Sequence, residues 1–401
     1  VDESRGRPLA DAVLELIWHH PGGISRAEIA RSGGLARSTV SEVVGTLLET
    51  GLVFESGDGP SSGGRRPVLL RFNDEARWIV GVDMGSTHVS VALTDLRGHV
   101  AAWSECPCDV RDDPDAACTT IEELIGRCIE AKPEVSGKIL GLGIAVPAPI
   151  DHQRPGVFPS NVLPAWSGHT GLLDMAERLG VPVWFENDAN AGVLAEHWWG
   201  GLSHLADFTF IKVATGLGAG HLMGGRVYGG AAGMAGEIGH ISIDPDGDPC
   251  ICGNRGCVTT FVGTPALLRR ARELAAINTD SRLHRRPVTF DALMGAIEED
   301  DPVGLQVVRE AAGYLGTAIA GLLNLLNPGA VVLGGGLMRA GERLLDPLRE
   351  AIRTRTLVNS VAAVEIRISA LGEQNVALGA ATVVLSAALT HPSLFTAQAR
   401  T

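Results

Sequence analysis

The feature that most constrains this 401-residue chain is the run from Gly236 to Cys257, GEIGHISIDPDGDPCICGNRGC. It holds His240, Cys250, Cys252 and Cys257, a Cys-x-Cys-x4-Cys pattern with a histidine ten residues before its first cysteine. Three thiolates and an imidazole at that spacing suit one tetrahedral Zn2+, which would pull residues 240–257 onto a single point. Gly253 and Gly256 let the chain between the thiolates turn tightly enough to converge. The alternatives are four unconnected loop residues or a disulfide pair, but short Cys/His spacing in a cytosolic-looking chain points to metal. Four protein ligands leave no position for a reacting water, so the metal is expected to be structural. Glu237 lies three residues before His240, and a ligand histidine can use its second ring nitrogen to bond another group.

The rest of the composition describes an ordinary globular protein: 45% hydrophobic and 20% charged residues exclude a disordered chain. The length suffices for two or three domains. A net charge of -13 argues against nucleic-acid binding over the whole surface but leaves room for a local basic patch. No N-terminal apolar signal and no run long enough to span a bilayer is visible, so the expected compartment is the cytoplasm and no membrane partner is expected. The apolar stretch 315–326 contains Asn324 and is followed by Pro328, and reads as a buried helix. Cys106, Cys108, Cys118 and Cys128 lack metal-like partners and are expected as buried free thiols.

At the N-terminus, Leu9, Val13, Leu14, Leu16 and Ile17 recur at helical spacing. Ser25 followed by Glu28 is a capping box for a short helix, Gly33 and Gly34 make a turn, and a second helix from about Ala36 carries Val40, Val43, Val44, Leu47 and Leu48 inward. Short helix, glycine turn and longer helix predict a helix-turn-helix. The start of the second helix would enter the major groove, so Arg37, Ser38, Thr39 and Ser41 are the candidate DNA-contacting residues. Two strands and a Gly/Ser turn follow as a wing, with Arg65 and Arg66 at its tip for phosphates or the minor groove. Residues 1–75 carry eight arginines against eleven acids, so the basic residues must be sorted onto one face. The competing reading is a small helical bundle used only for dimerisation.

G-H-x9-C-x-C-G-x2-G-C resembles the zinc signature of the ROK family, named for repressors, open reading frames and kinases. The resemblance implies a sugar kinase or a sugar-responsive transcription regulator on a two-lobed, actin-like (ribonuclease-H-like) α/β ATPase fold. Other stretches fall in family order. Asp83, Gly85, Ser86, Thr87 and Asp95 resemble the first phosphate loop, where backbone amides cradle phosphate and Asp83 can hold Mg2+ through water. Thr215, Gly216 and Gly218 resemble the second phosphate loop, and Gly335, within Gly334–Gly336, the adenosine motif; together they would hold Mg-ATP. Asn161 falls where the family contacts sugar, although a proline-rich covering loop is the plainer reading. The run Glu186-Asn187-Asp188-Ala189-Asn190 matches the family, in whose kinases the aspartate is the general base; alone, Asp188 reads as an ordinary N-cap or first-turn acid.

The resemblance thus implies a sugar or sugar-phosphate site at Asn161, Asn187, Asp188, Glu237 and His240. The expected divisions are a winged helix-turn-helix over 1–75, the kinase-like body over 76–390 and a tail over 391–401. Two features favour a regulator. The kinases lack such an N-terminal segment, and the family's Gly-Cys-x-Glu is here Gly256-Cys257-Val258-Thr259, replacing a sugar-contacting carboxylate by a hydroxyl. The expected protein is a sugar-responsive repressor acting on operator DNA as a homodimer or homotetramer. An ATP-dependent sugar kinase with Asp188 as base is the alternative from another class, and a zinc-stabilised interaction protein the blander third.

Overall fold

The structure, a computed structural model, describes residues 9–59, 66–356 and 364–396; Arg65 therefore lies outside the described residues. The N-terminal unit has helices α1 (Leu9–Trp18), α2 (Arg26–Ser32) and α3 (Arg37–Glu49). They pack on a small sheet of β1 (Ile24–Ser25), β2 (Val53–Asp58) and β3 (Val68–Phe72) in the order β1-β3-β2. The capping box forms: Glu28 N donates to Ser25 Oγ at 3.2 Å and Ser25 N donates to Glu28 Oε2 at 2.9 Å. Helix α3 buries Val40, Val44 and Leu47, as its spacing predicts, and Val43 and Leu48 are half-buried. The antiparallel β2–β3 pair is the expected wing, and Arg66 is exposed beside it.

The body holds two five-stranded sheets of one topology. The first takes β4 (Trp78–Met84), β5 (His88–Thr94), β6 (Val100–Pro107), β7 (Ile139–Val146) and β8 (Val183–Asn187) in the order β6-β5-β4-β7-β8. The second takes β9 (Phe208–Val213), β10 (Leu217–Met223), β11 (Arg226–Val227), β12 (Ala330–Gly334) and β13 (Glu365–Ile368) in the order β11-β10-β9-β12-β13. In each, the first strand is central, antiparallel to the second and parallel to the fourth, so the two lobes repeat one another. Helices α4 (Pro114–Ala131) and α5 (Gly171–Leu179) cover the first sheet. Helices α7 (Thr259–Val262), α8 (Thr264–Ile277), α9 (Phe290–Glu298), α10 (Pro302–Leu326) and α11 (Glu342–Arg353) build the second core. Among the described residues no helix is long and apolar enough to cross a membrane. Cys118 and Cys128 are buried free thiols as expected, whereas Cys106 and Cys108, on or just past edge strand β6, are only half-buried.

Between the lobes lie α6 (Asp188–Trp198) and α12 (Asn375–Thr390). Their contact is backbone on backbone: a Cβ built on Gly379 of α12 would lie 1.9 Å from Ala191 O of α6. On the other side of α6, a Cβ on Gly220 of β10 would lie 2.2 Å from Ala189 O. Only glycine permits either approach.

Helix α12 also ties the N-terminal unit to the body. One apolar core joins Leu14, Ile17, Val44, Leu70 and Phe72 to Leu96, Leu140, Val384, Leu385 and Leu389, and so crosses the expected division at residue 75. The stretch expected as a tail begins with a short helix, α13 (Ser393–Thr396), whose Phe395 is fully buried 6.1 Å from the Phe72 ring. An apolar side chain there gains burial by closing the same core. Trp18 of α1 reaches across: its indole donates to Leu96 O at 3.2 Å and its ring lies 5.4 Å from Trp198, the last residue of α6.

Glu196, two residues earlier in α6, is wholly buried. Its Oε1 accepts from Asn375 Nδ2 at 2.7 Å and from the Ser369 hydroxyl, while Oε2 has no hydrogen-bond partner among the described residues. Burial pushes its carboxyl up, and the bonds from Ser369 and Asn375 and the charge of Arg367 oppose this only in part. A raised folded-state value means that the group's stabilising contribution is full below the ordinary glutamate value and is lost as pH rises through the raised one. Glu196→Gln is therefore expected to stabilise the protein at neutral pH, a gain that shrinks on acidification. Denaturant melts at several pH values measure this; a destabilised variant at pH 7 would show that the carboxylate is charged and compensated.

Candidate functional site

The two central strands end at one cleft. Asp83 stands at the end of β4, Lys212 at the corresponding place in β9, and Asp188 opens α6 directly after β8. Lys212 Nζ is 3.0 Å from Asp188 Oδ2 and 3.4 Å from Asp83 Oδ1, so a lysine of the second sheet joins two carboxylates at strand ends of the first. Sequence reading picked out both aspartates and missed the lysine. The available signal was a lone charge inside Phe208–Val213, a strand buried at every position, where a lysine needs carboxylate partners.

The helix cap is Asn187, not Asp188. Asn187 Oδ1 accepts from Ala189 N at 3.0 Å and Asn190 N at 3.2 Å, and its Nδ2 donates to Ala148 O at 3.2 Å. Its amide is thus engaged in holding the turn, which leaves Asp188 as the group of that pair turned to the cleft. Glu186, unassigned from sequence, accepts from Asn187 N at 2.9 Å and Asn190 Nδ2 at 3.1 Å, and its other oxygen lies 3.6 Å from His152 Nε2. Asn161 is exposed in the loop after β7, and among the described residues no hydrogen bond joins it to these groups.

The glycine loops gather at the same strand ends. Gly216 and Gly218 lie in and just after the β9–β10 turn beside a half-buried Thr215; a Cβ on Gly216 would stand 3.7 Å from Thr259 Oγ1, and one on Gly218 3.6 Å from Ala189 Cβ. Gly335 has φ +94°, and a Cβ there would meet Val213 O at 2.1 Å, so it seats β12 against the end of β9. In the β4–β5 turn Thr87 is exposed, while Gly85 is buried beneath the ring of His88, which bonds Asp83 at 3.5 Å.

The Cys/His loop enters from the β10 side. The ligand atoms of His240, Cys250, Cys252 and Cys257 all lie within 4.8 Å of one another. Cys252 and Cys257 Sγ are 3.6 Å apart, far beyond a disulfide bond and near the edge of about 3.8 Å that metal–sulfur bonds of 2.3 Å give a tetrahedron. All seven cysteines are free, so the disulfide alternative fails and the cluster can hold a metal ion. Gly256 needs its φ of +59°, since a Cβ there would lie 1.7 Å from Asp244 O. His240 Nδ1 faces Cys250 Sγ at 3.4 Å, and Nε2 faces Glu237 Oε2 at 3.8 Å. Burial first, and the charge of Asp188 second, push the Glu237 carboxyl up, so metal loop and cleft share an electrostatic neighbourhood.

At the far end of the molecule Arg37, Ser38 and Ser41 are exposed on the start of α3 and Thr39 is half-buried; Ser41 Oγ donates to Arg37 O at 3.0 Å.

Both the N-terminal unit and the body are similar to known proteins. An IclR helix-turn-helix domain model matches residues 10–55. The xylose repressor of Caldicellulosiruptor bescii is 32% identical over 92% of this chain and 93% of its own. A crystal structure of a ROK family transcriptional regulator, described as a homologue of the E. coli MLC protein, superposes with TM-score 0.80 at 25% identity over 97% of this chain and 98% of that one. A ROK family glucokinase from Streptomyces griseus, in complex with glucose and AMPPNP, gives TM-score 0.66 at 28% identity over 76% of this chain and 98% of that one. The repeated sheets, the Cys/His loop and a ROK family model matching residues 79–387 lead to one conclusion: the chain belongs to the ROK family.

Proposed function

We propose that this protein is a sugar-responsive, DNA-binding transcription repressor. The observation that carries the reading is the course of α6, which begins at the cleft with Asp188 and ends with Trp198 against Trp18 of the helix-turn-helix unit. A ligand that draws the lobes together acts on the first turn of this helix, and the glycine contacts at Ala189 and Ala191 leave its backbone no slack before α1. A shift of α1 would re-aim α3, which in a dimer changes the spacing of two recognition helices and hence operator affinity. Arg37, Ser38, Thr39 and Ser41 would meet base edges, and Arg65 and Arg66 the backbone or minor groove.

Asp188, Glu237 and the Nε2 edge of His240 would bond sugar hydroxyls, with Asn187 holding Asp188 in place and Asn161 reaching the site on lobe closure. The cluster of His240, Cys250, Cys252 and Cys257 would hold a structural Zn2+ that fixes this edge. We place the working protein in the cytoplasm, as a homodimer or homotetramer.

Binding to a palindromic promoter fragment at moderate salt, with pentoses, hexoses and amino sugars added in turn, tests the reading. Xylose comes first, because a relative is named for it. The expected result is specific binding that one sugar weakens by about tenfold or more. Asp188→Asn should keep DNA binding and lose most of the response, since a charge-assisted bond contributes about 1.5–3 kcal/mol. Absence of any sequence-specific binding would sink the proposal. ADP release with any of these sugars, abolished by Asp188→Asn, would put the kinase in its place.

A further inference from the structure

The floor of the cleft carries a cation that belongs to the chain itself. Lys212 Nζ sits 3.0 Å from Asp188 Oδ2 and 3.4 and 3.5 Å from the two oxygens of Asp83. Burial alone would drive the ammonium towards neutrality, but Asp188 and Asp83 outweigh it and hold the group charged, above the ordinary lysine range. Burial alone would likewise raise Asp83, yet Lys212 and His88 keep its carboxyl below the ordinary range. His88 Nε2 lies 3.5 Å from Asp83 Oδ2, and a Cβ on Gly85 would be 2.3 Å from its ring. The imidazole therefore fills the turn in which a phosphate would need bare backbone amides.

These residues do not fit Mg2+. The ion demands near-octahedral oxygen ligands at about 2.0–2.1 Å and keeps several waters. Here both oxygens of Asp83 face an ammonium or an imidazole, and Asp188 faces the same ammonium, which is anchored on a buried strand.

We propose that Lys212 is the resident cation of this cleft, standing in place of a divalent metal, so that the cleft takes an uncharged sugar and neither metal nor nucleotide. This rests on the sugar-sensing reading above and deepens it. Asp83 and Asp188 already answer the ammonium and the His88 imidazole, which its bond to Asp83 holds above the ordinary histidine range, so the floor has no surplus positive charge. A phosphate dianion would find no free cation there, whereas sugar hydroxyls can donate to Asp188. Of the two ligands left open by the sequence, the neutral sugar is the one this floor suits. The ammonium also holds β4, β9 and α6 in register without any ligand, so Lys212 sets the geometry that the sugar meets.

The test is Mn2+ binding by the zinc-loaded full-length protein, read from the electron paramagnetic resonance of free Mn2+. Wild type is expected to bind no Mn2+ in the cleft at submillimolar concentration. Lys212→Met, which leaves two facing carboxylates, is expected to gain one site at least tenfold tighter, removed again by adding Asp83→Asn. Wild-type Mn2+ binding that Asp83→Asn abolishes would overturn the proposal, and so would a folded Lys212→Met protein that gains none. If Lys212→Met does not fold, the wild-type comparison with Asp83→Asn still decides, alongside Lys212→Arg, expected to exclude Mn2+ like wild type. In a second arm, thermal melts with xylose, glucose, glucose 6-phosphate and Mg-AMPPNP should show a shift with a free sugar alone. A larger shift with the phosphate or the nucleotide counts against Lys212 as resident cation. No shift with any sugar counts against the sensing reading, and the Mn2+ arm still decides the role of the lysine.

Discussion

Replacing Cys250 with serine is expected to abolish metal binding and sugar binding together, while operator binding survives without its sugar response. The loop 240–257 has little apolar material of its own: Ile241 and Ile251 are exposed, and only its end at Cys257 is fully buried. Structural zinc contributes about 10–16 kcal/mol to small zinc-bound folds, so a loop this polar relies on the ion for its shape. Glu237 and His240 reach the cleft from this loop, and His240 Nε2 faces Glu237 only while Nδ1 is held among the thiols. Among the described residues the winged helix shares its apolar core with α12, Ile79, Leu96 and Leu140, and that core includes none of the loop's residues. Metal content, sugar affinity by calorimetry and operator affinity, measured on one preparation, separate these effects. A zinc-free Cys250→Ser chain that stays folded and binds sugar normally would show that the metal and the cleft are unconnected.

Trp18→Ala should do the reverse, leaving sugar affinity intact and losing its transmission to DNA. The indole is 8% exposed, donates to Leu96 O at 3.2 Å, packs 5.4 Å from Trp198 and lies under the Arg97 guanidinium at 4.5 Å. Truncating a buried aromatic of this kind costs about 3–5 kcal/mol. Part of that cost falls on the contact between α1 and the body, so the DNA-binding unit loosens from α6. The expected outcome is a lower melting temperature, unchanged sugar binding and an operator affinity that no longer depends on sugar. Trp198→Ala, at a half-buried position, should uncouple with a smaller stability loss. A full sugar response in either variant would show that the signal takes another route.

What could be read from sequence was what acts over short separations. Ser25 and Glu28 signal their capping box within one turn, and Cys250, Cys252 and Cys257 signal convergence within one loop. What escaped depends on partners far along the chain. Lys212 is explained only by Asp83, 129 positions earlier, and by Asp188 from the other lobe. His88 reads as a polar residue opening a strand until the fold folds its ring back over Gly85. Asn187 and Asp188 are equally good caps by residue type, and only the backbone geometry shows that Asn187 closes the helix. The core shared by α1, α12 and Phe395 joins residues from both ends of the chain, and no local pattern announces it.

Helix α6 separates two kinds of specificity while joining them mechanically. On the function proposed above, its first turn and the groups around it, Glu186, Asp188 and Glu237, would select the sugar, and substituting them leaves the backbone contacts at Ala189 and Ala191 in place. Arg37 and Ser38 would select the operator, and substituting them leaves Trp18 in place. Effector choice and promoter choice can therefore drift independently during evolution, and a recombined chain should inherit its sugar from one parent and its operator from the other. The shared core of α1, β3 and α12, with the aromatic contact between Trp18 and Trp198 at its edge, is what both parents must have in common.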